Sequence, residues 1–410
     1  MYPRLLEGAL RESLADTPAV FVAGARQTGK STLVRGFGRR AGGWTYRTFD
    51  DLETLASARA DPQGLVARLG DRAILDEVQR APELLVPLKA SIDADRRPGR
   101  FILTGSANVL ALPRVAESLA GRMEILTLWP LAQSELERTT PRFVDACFDG
   151  WPDRLRPTPA DRGALAARML RGGFPEAAGR LRDRARGRWF GAYLSTLLQR
   201  DLRDLAAIER IAEVPRLLEA VAARTGSLLN VADVGRALGI NHMTLKRYLA
   251  LLEALYLVVR LPPWFENAGK RLTRTPKLHL VDSGLLAYLL GLDAAGLAAR
   301  PAGMGPLAET FVVAELLRIA PVSSTCPRLF HFRTGSGHEV DVVLEDRRRR
   351  LVGVEVKASA SVTADDFRGL RTFQEVAGKR FACGVLLHAG REILPFGPRL
   401  WAAPISSLWG

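Results

Sequence analysis

The chain opens on short apolar runs separated by helical stretches. Ala19–Ala23 is an unbroken apolar run of strand length; a glycine turn follows, and Thr32, Leu33 and Val34 lead into a helix. Residues 44–49 (WTYRTF) predict a second short strand ending at Asp50 and Asp51. After an alternating helical stretch come Ala73-Ile74-Leu75 closed by Asp76-Glu77, and Phe101-Ile102-Leu103 closed by Thr104-Gly105-Ser106. Another strand is expected at ILTLWPL (125–131). Apolar strands interleaved with helices predict an α/β domain with a parallel sheet.

Beyond residue 140 the rhythm changes. Pro141, Pro152, Pro157 and Pro159 mark a connector. From Asp161 the spacing is helical, breaks at Gly172-Gly173-Phe174-Pro175 and resumes through Arg203. From Ala212 the order reads helix, helix, helix, strand, strand. Residues 213–224 carry apolar side chains on one face, 230–239 form a short helix with a glycine turn, and Asn241 caps HMTLKRYLALLEAL. Strands are expected at 256–262 and 277–282. After 303 come a helix (306–318), three strands and a helix (364–376), then FACGVLLHA as a last strand. The expected domains are 1–140, 141–210, 211–300 and 303–410.

The glycine turn carries chemistry. Gly24, Ala25, Arg26, Gln27, Thr28, Gly29, Lys30 and Ser31 fill every position of G-x-x-x-x-G-K-[ST], with Thr32 beginning the helix. Glycines let successive backbone N–H groups converge on phosphate oxygens, and the helix N-terminus adds positive potential. Lys30 can reach the β- and γ-phosphates, and the Ser31 hydroxyl can ligate Mg2+. Asp76 would hold that ion and Glu77 would act as base for the attacking water. Thr104 or Ser106 can sense the γ-phosphate, or simply cap their strand. Arg122 is the candidate for neutralising the transferred phosphoryl group, with an ordinary surface arginine as the alternative. No N-K-x-D occurs, so ATP is the expected nucleotide.

Composition adds less. The 410 residues allow two to four domains, and 47% apolar with 25% charged residues is ordinary for a globular chain. No apolar run is long enough to span a bilayer, and the charged N-terminus is unlike a signal peptide. Cys147, Cys326 and Cys383 stand far apart in the sequence and suggest neither a disulfide framework nor zinc; a cytoplasmic protein is expected. The net charge of +14 favours an anionic partner, although an arginine-rich composition accounts for it equally well. A DNA reading gains from the helix-turn-helix order after 212. His242, Thr244, Lys246 and Arg247 would face base edges, and a basic wing with Lys270, Arg271, Arg274 and Lys277 would grip phosphates. Many such modules contact proteins instead.

GARQTGKSTL, ILDEVQ, FILTGSAN, LAGR and WPLAQSE, with the later GGFPEA (172–177) and YLSTLLQRDL (193–202), resemble the AAA-type ATPases that carry a C-terminal DUF4143 domain. The resemblance implies an ATP- and Mg2+-dependent P-loop core with a helical lid over 141–210, and either rings in which one subunit's arginine reaches the next or a monomer in which Arg122 serves its own chain. The order αβββαβ after 303 resembles the PD-(D/E)xK nuclease fold, which is restriction-endonuclease-like. Carried over, Asp341 and Glu355 would ligate Mg2+, Glu309 would complete the acidic cluster, and Lys357 would assist the hydrolytic water. Period-two alternation puts Glu355 and Lys357 on one strand face, with Asp341 on the neighbouring strand. The alternative is an ATP-switched DNA-binding or scaffold regulator with a silent C-terminal domain. Arg347 to Arg350 would grip phosphate or form a solvated hairpin tip.

Overall fold

The computed structural model describes residues 2–106, 121–149, 151, 155, 157–158, 161–201, 213–266, 275–299 and 303–410. The chain divides into two compact units. The smaller comprises Arg4–Trp129 with Glu253–Tyr256, and the larger comprises Pro130–Leu252 and Leu257–Gly410.

The smaller unit is built on a five-stranded sheet. Its strands are β1 (Ala19–Ala23), β2 (Thr45–Thr48), β3 (Ala73–Asp76), β4 (Phe101–Gly105) and β5 (Met123–Thr127), in the order β2-β3-β4-β1-β5. Every pairing is parallel. The inner strands β1, β3 and β4 are buried along their whole length, which is why they read as continuous apolar runs. The helices Leu6–Asp16 and Lys30–Ala41 pack Leu10, Leu14, Leu33, Val34 and Phe37 against Val20, Val22, Ile74 and Ile102. Each such side chain contributes about 1.5–3 kcal/mol when fully buried. Because the strands are parallel, all their C-terminal ends open on one edge, where loops gather polar residues.

In the larger unit, Asp161 caps the helix Arg162–Arg171 by accepting from Ala164 N (2.7 Å), and Gly172 ends that helix with φ 67°. A Cβ on Gly172 would stand 2.2 Å from Asp282 Oδ1, and one on Gly173 would stand 2.2 Å from Leu131 O. The glycine pair thus lets the chain close on Asp282 and on the 131–135 segment. Helices Glu213–Ala222, Val231–Leu238 and His242–Ala254 follow, then the antiparallel pair β6 (Val258–Leu261) and β7 (Lys277–Leu280). Asn241 caps its helix as expected, accepting from Thr244 N at 2.8 Å.

The C-terminal sheet contains β8 (Arg328–Arg333), β9 (Glu339–Glu345), β10 (Leu351–Lys357), β11 (Phe381–His388), β12 (Leu394–Gly397) and β13 (Leu400–Pro404), ordered β12-β13-β11-β10-β9-β8. Helices Met304–Ile319 and Arg368–Ala377 complete the expected order up to β11; β12 and β13 extend it. Trp264, Phe330, Phe332, Leu370 and Phe373 form much of its core. Cys147 and Cys383, remote in sequence, are neighbours here, and burial with the second thiol pushes the Cys147 thiol up.

Candidate functional site

The phosphate-loop sequence folds as a turn between β1 and the helix Lys30–Ala41. Gly24 has φ 148° and no room for a side chain, since a Cβ would come 2.3 Å from Leu128 O. Gln27 (φ 60°) and Gly29 (φ 94°) also take positive φ, which turns successive N–H groups inward. The Thr28 hydroxyl donates to Ala25 O (2.9 Å), stiffening the turn. Lys30 is buried, and its Nζ donates to Gly24 O (3.0 Å) and Ala25 O (2.9 Å). Arg26 is half-buried, while Gln27 and Thr32 are exposed.

Asp76, at the end of β3, is the hub. Its Oδ1 accepts from Ser31 Oγ (3.1 Å) and from Thr104 Oγ1, and its Oδ2 accepts from Tyr46 OH (2.5 Å). Burial and then the bonded Asp76 carboxylate raise the Tyr46 phenol above its usual range. Glu77 adopts φ 60° and donates its N–H to Thr104 Oγ1 (3.0 Å). Gln79 Nε2 holds the Glu77 carboxylate and also donates to Ser106 Oγ (3.0 Å). The charge of Asp76 is thus surrounded by neutral hydroxyls, and a hydroxyl and a carboxylate lie side by side. That donor set fits a hard divalent cation.

Arg122 lies elsewhere. It immediately precedes β5, whose first residue pairs with Ala19 at the start of β1. The loop leaves the other end of β1, five strand residues or roughly 16 Å further on. Its guanidinium grips Asp93 with two bonds (2.7 and 2.9 Å), and that pairing lowers the Asp93 carboxyl. Of the two expectations for Arg122, its own chain's loop or a neighbouring copy's, this arrangement sets it away from the first.

The C-terminal acids do come together. Asp341 on β9 follows the same face as Glu339, and its Oδ2 accepts from Val356 N (3.0 Å) where the β9–β10 ladder stops. Glu309 approaches from the helix Met304–Ile319. Among these acids, however, stands Lys277 of β7. Its Nζ lies 2.9 Å from Glu309 Oε1 and 3.0 Å from Asp341 Oδ1, and it also pairs with Glu339. Lys277 was expected on a solvent-facing wing; it is 1% exposed. Burial opposes its charge, yet Asp341, Glu309 and Glu339 outweigh this and hold the ammonium well above its usual range. Burial and the Asp341 charge push Glu309 up to about 8 and push Glu355 up as well. Both are held toward the protonated form, and Glu309 faces the ammonium together with Glu339 and Asp341. Glu355 Oε2 is buried without a hydrogen-bond partner among the described residues. Lys357 Nζ stands 4.0 Å from Glu355 Oε1 and 3.7 Å from Asp366 Oδ1.

With an ammonium in their midst, Glu309, Asp341 and Glu355 do not fit Mg2+, which corrects the expected ligand set. Among the described residues, no three acidic, imidazole or thiol side chains stand as metal ligands do. His279 lies beside the cluster, 3.8 Å from Glu309, and burial pushes its imidazole down to about 3.

On the helix His242–Ala254, Lys246 and Arg247 are exposed and Thr244 is half-buried. Lys270, Arg271 and Arg274 lie outside the described residues. Arg350 is tied to Asp346 (2.7 Å) and Asp149 (2.9 Å), so that arginine anchors its hairpin.

Two groups escaped the sequence reading. One is Lys277 with Glu339. The alternation of KLHL placed Lys277 and His279 on one polar face, a signal that this face meets other polar groups. The other is a buried network. Arg318 donates to Glu315 Oε1 (2.6 Å) and Asp282 Oδ2 (3.1 Å); Glu315 Oε2 accepts from Gln133 N (2.9 Å), and Asp282 Oδ2 from Gly173 N (2.6 Å). It joins WPLAQSE and GGFPEA, whose shared reason is thus structural.

Residues 16–137 match the family model of the AAA domain, 162–296 that of a domain of unknown function (DUF8612), and 304–408 that of a domain of unknown function (DUF4143). Uncharacterized protein Rv2008c of Mycobacterium tuberculosis and Uncharacterized protein Mb2031c of Mycobacterium bovis are each 30% identical to the chain over 399 residues, spanning 97% of it and 82% of their own length. Among solved structures, the Walker-type ATPase PABY2304 of Pyrococcus abyssi aligns with 71% of this chain and 96% of its own, at 18% identity and a TM-score of 0.42. The matched AAA and DUF4143 models, in one chain and in this order, agree with relatives that align along almost its whole length. The chain belongs to the family of AAA-type P-loop ATPases with a C-terminal DUF4143 domain.

Proposed function

We propose that the smaller unit hydrolyses ATP with Mg2+. The observation that carries this reading is the meeting of Ser31 Oγ and Asp76 Oδ1, 3.1 Å apart, beside the buried Lys30. The backbone amides of residues 24–31 cradle the phosphates. Lys30 exchanges the carbonyls of Gly24 and Ala25 for β- and γ-phosphate oxygens. Ser31 and Asp76 hold Mg2+, which when bound neutralises charge on those oxygens. Glu77 orients the attacking water and takes its proton. Thr104 bonds both the Asp76 carboxylate and the Glu77 amide, so one hydroxyl sets the acid and the base relative to each other. Ser106 acts further out, through Gln79. Arg122 is assigned to the site of a neighbouring copy of the chain, after release from Asp93. Lys30→Ala should abolish nucleotide binding, and Glu77→Gln should bind ATP without turning it over. Normal hydrolysis by Glu77→Gln would refute the assignment of the base.

We also assign DNA as the partner of the larger unit, on the exposed Lys246 and Arg247 of the helix that opens at His242; the whole chain's net charge of +14 is compatible with it. One observation favours the regulator reading over a nuclease. Lys277 fills the acidic centre on which cutting would depend. In a plasmid-nicking assay, wild type and Lys357→Ala should both leave the plasmid intact; nicking by wild type alone would restore the nuclease reading.

A further inference from the structure

The seat of Lys277 is built by backbone. Strand β7 is fastened on one side to β6 and on the other to the segment after the helix Glu213–Ala222. Gly226 N donates to Leu278 O (2.9 Å) and Leu229 N to Pro276 O (3.0 Å), while Leu228 bridges to Lys277 itself. Gly226 (φ 75°) lies so close to Glu309 that a Cβ there would come 2.7 Å from Oε2. Thr225 and Thr310 join the two elements at 2.9 Å. These contacts fix where the ammonium goes. It is not a mobile surface lysine that has drifted onto an acid.

The carboxylates that grip it, Glu309 from the helix Met304–Ile319 and Glu339 and Asp341 from β9, converge on one point. Here that point is held by a cation of the chain itself. Glu355 Oε2 remains buried and unpartnered among the described residues, one acceptor more than the ammonium serves. We propose that Lys277 permanently takes the cation's place: the acidic centre is an internal ion lock that takes no divalent metal while β7 is docked. Removing the ammonium converts the same carboxylates into a divalent-cation site. This deepens the silent reading of the C-terminal domain and is independent of whether the phosphate loop hydrolyses ATP.

The test uses the full chain without nucleotide, carrying Asp76→Asn so that the phosphate loop contributes no metal site. Mn2+ is the probe, read by electron paramagnetic resonance. The parent should bind no Mn2+ up to about 1 mM, and Lys277→Arg should match it. Lys277→Met should take one Mn2+ per chain, at least about tenfold more tightly, and Mn2+ should raise its thermal midpoint where Na+ of equal ionic strength does not. The proposal is overturned if the parent binds one Mn2+ that Asp341→Asn abolishes, or if folded Lys277→Met binds none. Should Lys277→Met fail to fold, Lys277→Met with Glu309→Gln lowers the carboxylate repulsion. Folded and metal-free, that double variant equally overturns the lock. The parent measurement decides even if neither variant folds.

Discussion

Asp76 and Asp341 look alike in the sequence: each is an acid at a place where metal chemistry is expected. Their surroundings separate them. Asp76 is satisfied by Ser31, Tyr46 and Thr104, three neutral hydroxyls, so its negative charge remains available to a cation. Asp341 shares a buried ammonium with Glu309 and Glu339. Hydroxyl donors stabilise a carboxylate by hydrogen bonds while leaving its net charge; lysine cancels it. Whether the groups bonded to an acid are neutral hydroxyls or an ammonium therefore decides whether its charge is left over for a cation.

The largest expected effect lies at the first centre. Glu77→Gln should lower kcat about a hundredfold or more while nucleotide binding persists. At the second centre, Lys277→Met leaves buried carboxylates without a counter-ion and should destabilise the larger unit by about 3–5 kcal/mol. Tyr46→Phe, which removes one neutral donor to Asp76, should cost only about 1 kcal/mol. Equal costs in chemical denaturation would erase the distinction drawn between the two sites.

A smaller effect concerns pH. The Glu309 carboxyl is raised to about 8 in the folded state, so folding is favoured by its bound proton and that stability is lost as pH rises toward and through 8. His279 is lowered to about 3, so the folded state excludes a proton the unfolded chain accepts; its contribution grows as pH rises toward about 6.5 and is then complete. Of these two groups only the carboxyl still acts between pH 6.5 and 8, and Glu355, raised by the same burial, works in the same direction. Thermal stability should fall there, and Glu309→Gln should flatten the fall. Smallest of all, Lys246→Ala with Arg247→Ala should reduce the slope of log DNA affinity against log salt by up to about 2, measured by fluorescence anisotropy. An unchanged slope would move those side chains to a protein-contact role.

Local signals carried well where neighbours in space are neighbours in sequence. The run Ala19–Ala23, the glycine turn and the helix from Lys30 are contiguous, so strand, turn and cap were legible together. Asn241 needed only its own amide partner three residues on. By contrast, β12 escaped because Pro395 and Gly397 break a short strand whose alternation shows little burial. Which copy's site Arg122 could reach was not legible, because a motif gives spacing along the chain, whereas the in-register pairing of β1 and β5 fixes which end of the sheet it occupies.

The amino-acid order alone predicted the glycine turn between strand and helix, the acids at the strand ends and most of the succession of helices and strands. Those features rest on backbone preference and side-chain period, which act over a few residues. Tertiary structure decided that Lys277 meets acids from β9 and from the helix Met304–Ile319. Such a meeting is set by sheet docking across dozens of residues, and its electrostatics exist only once water has been excluded.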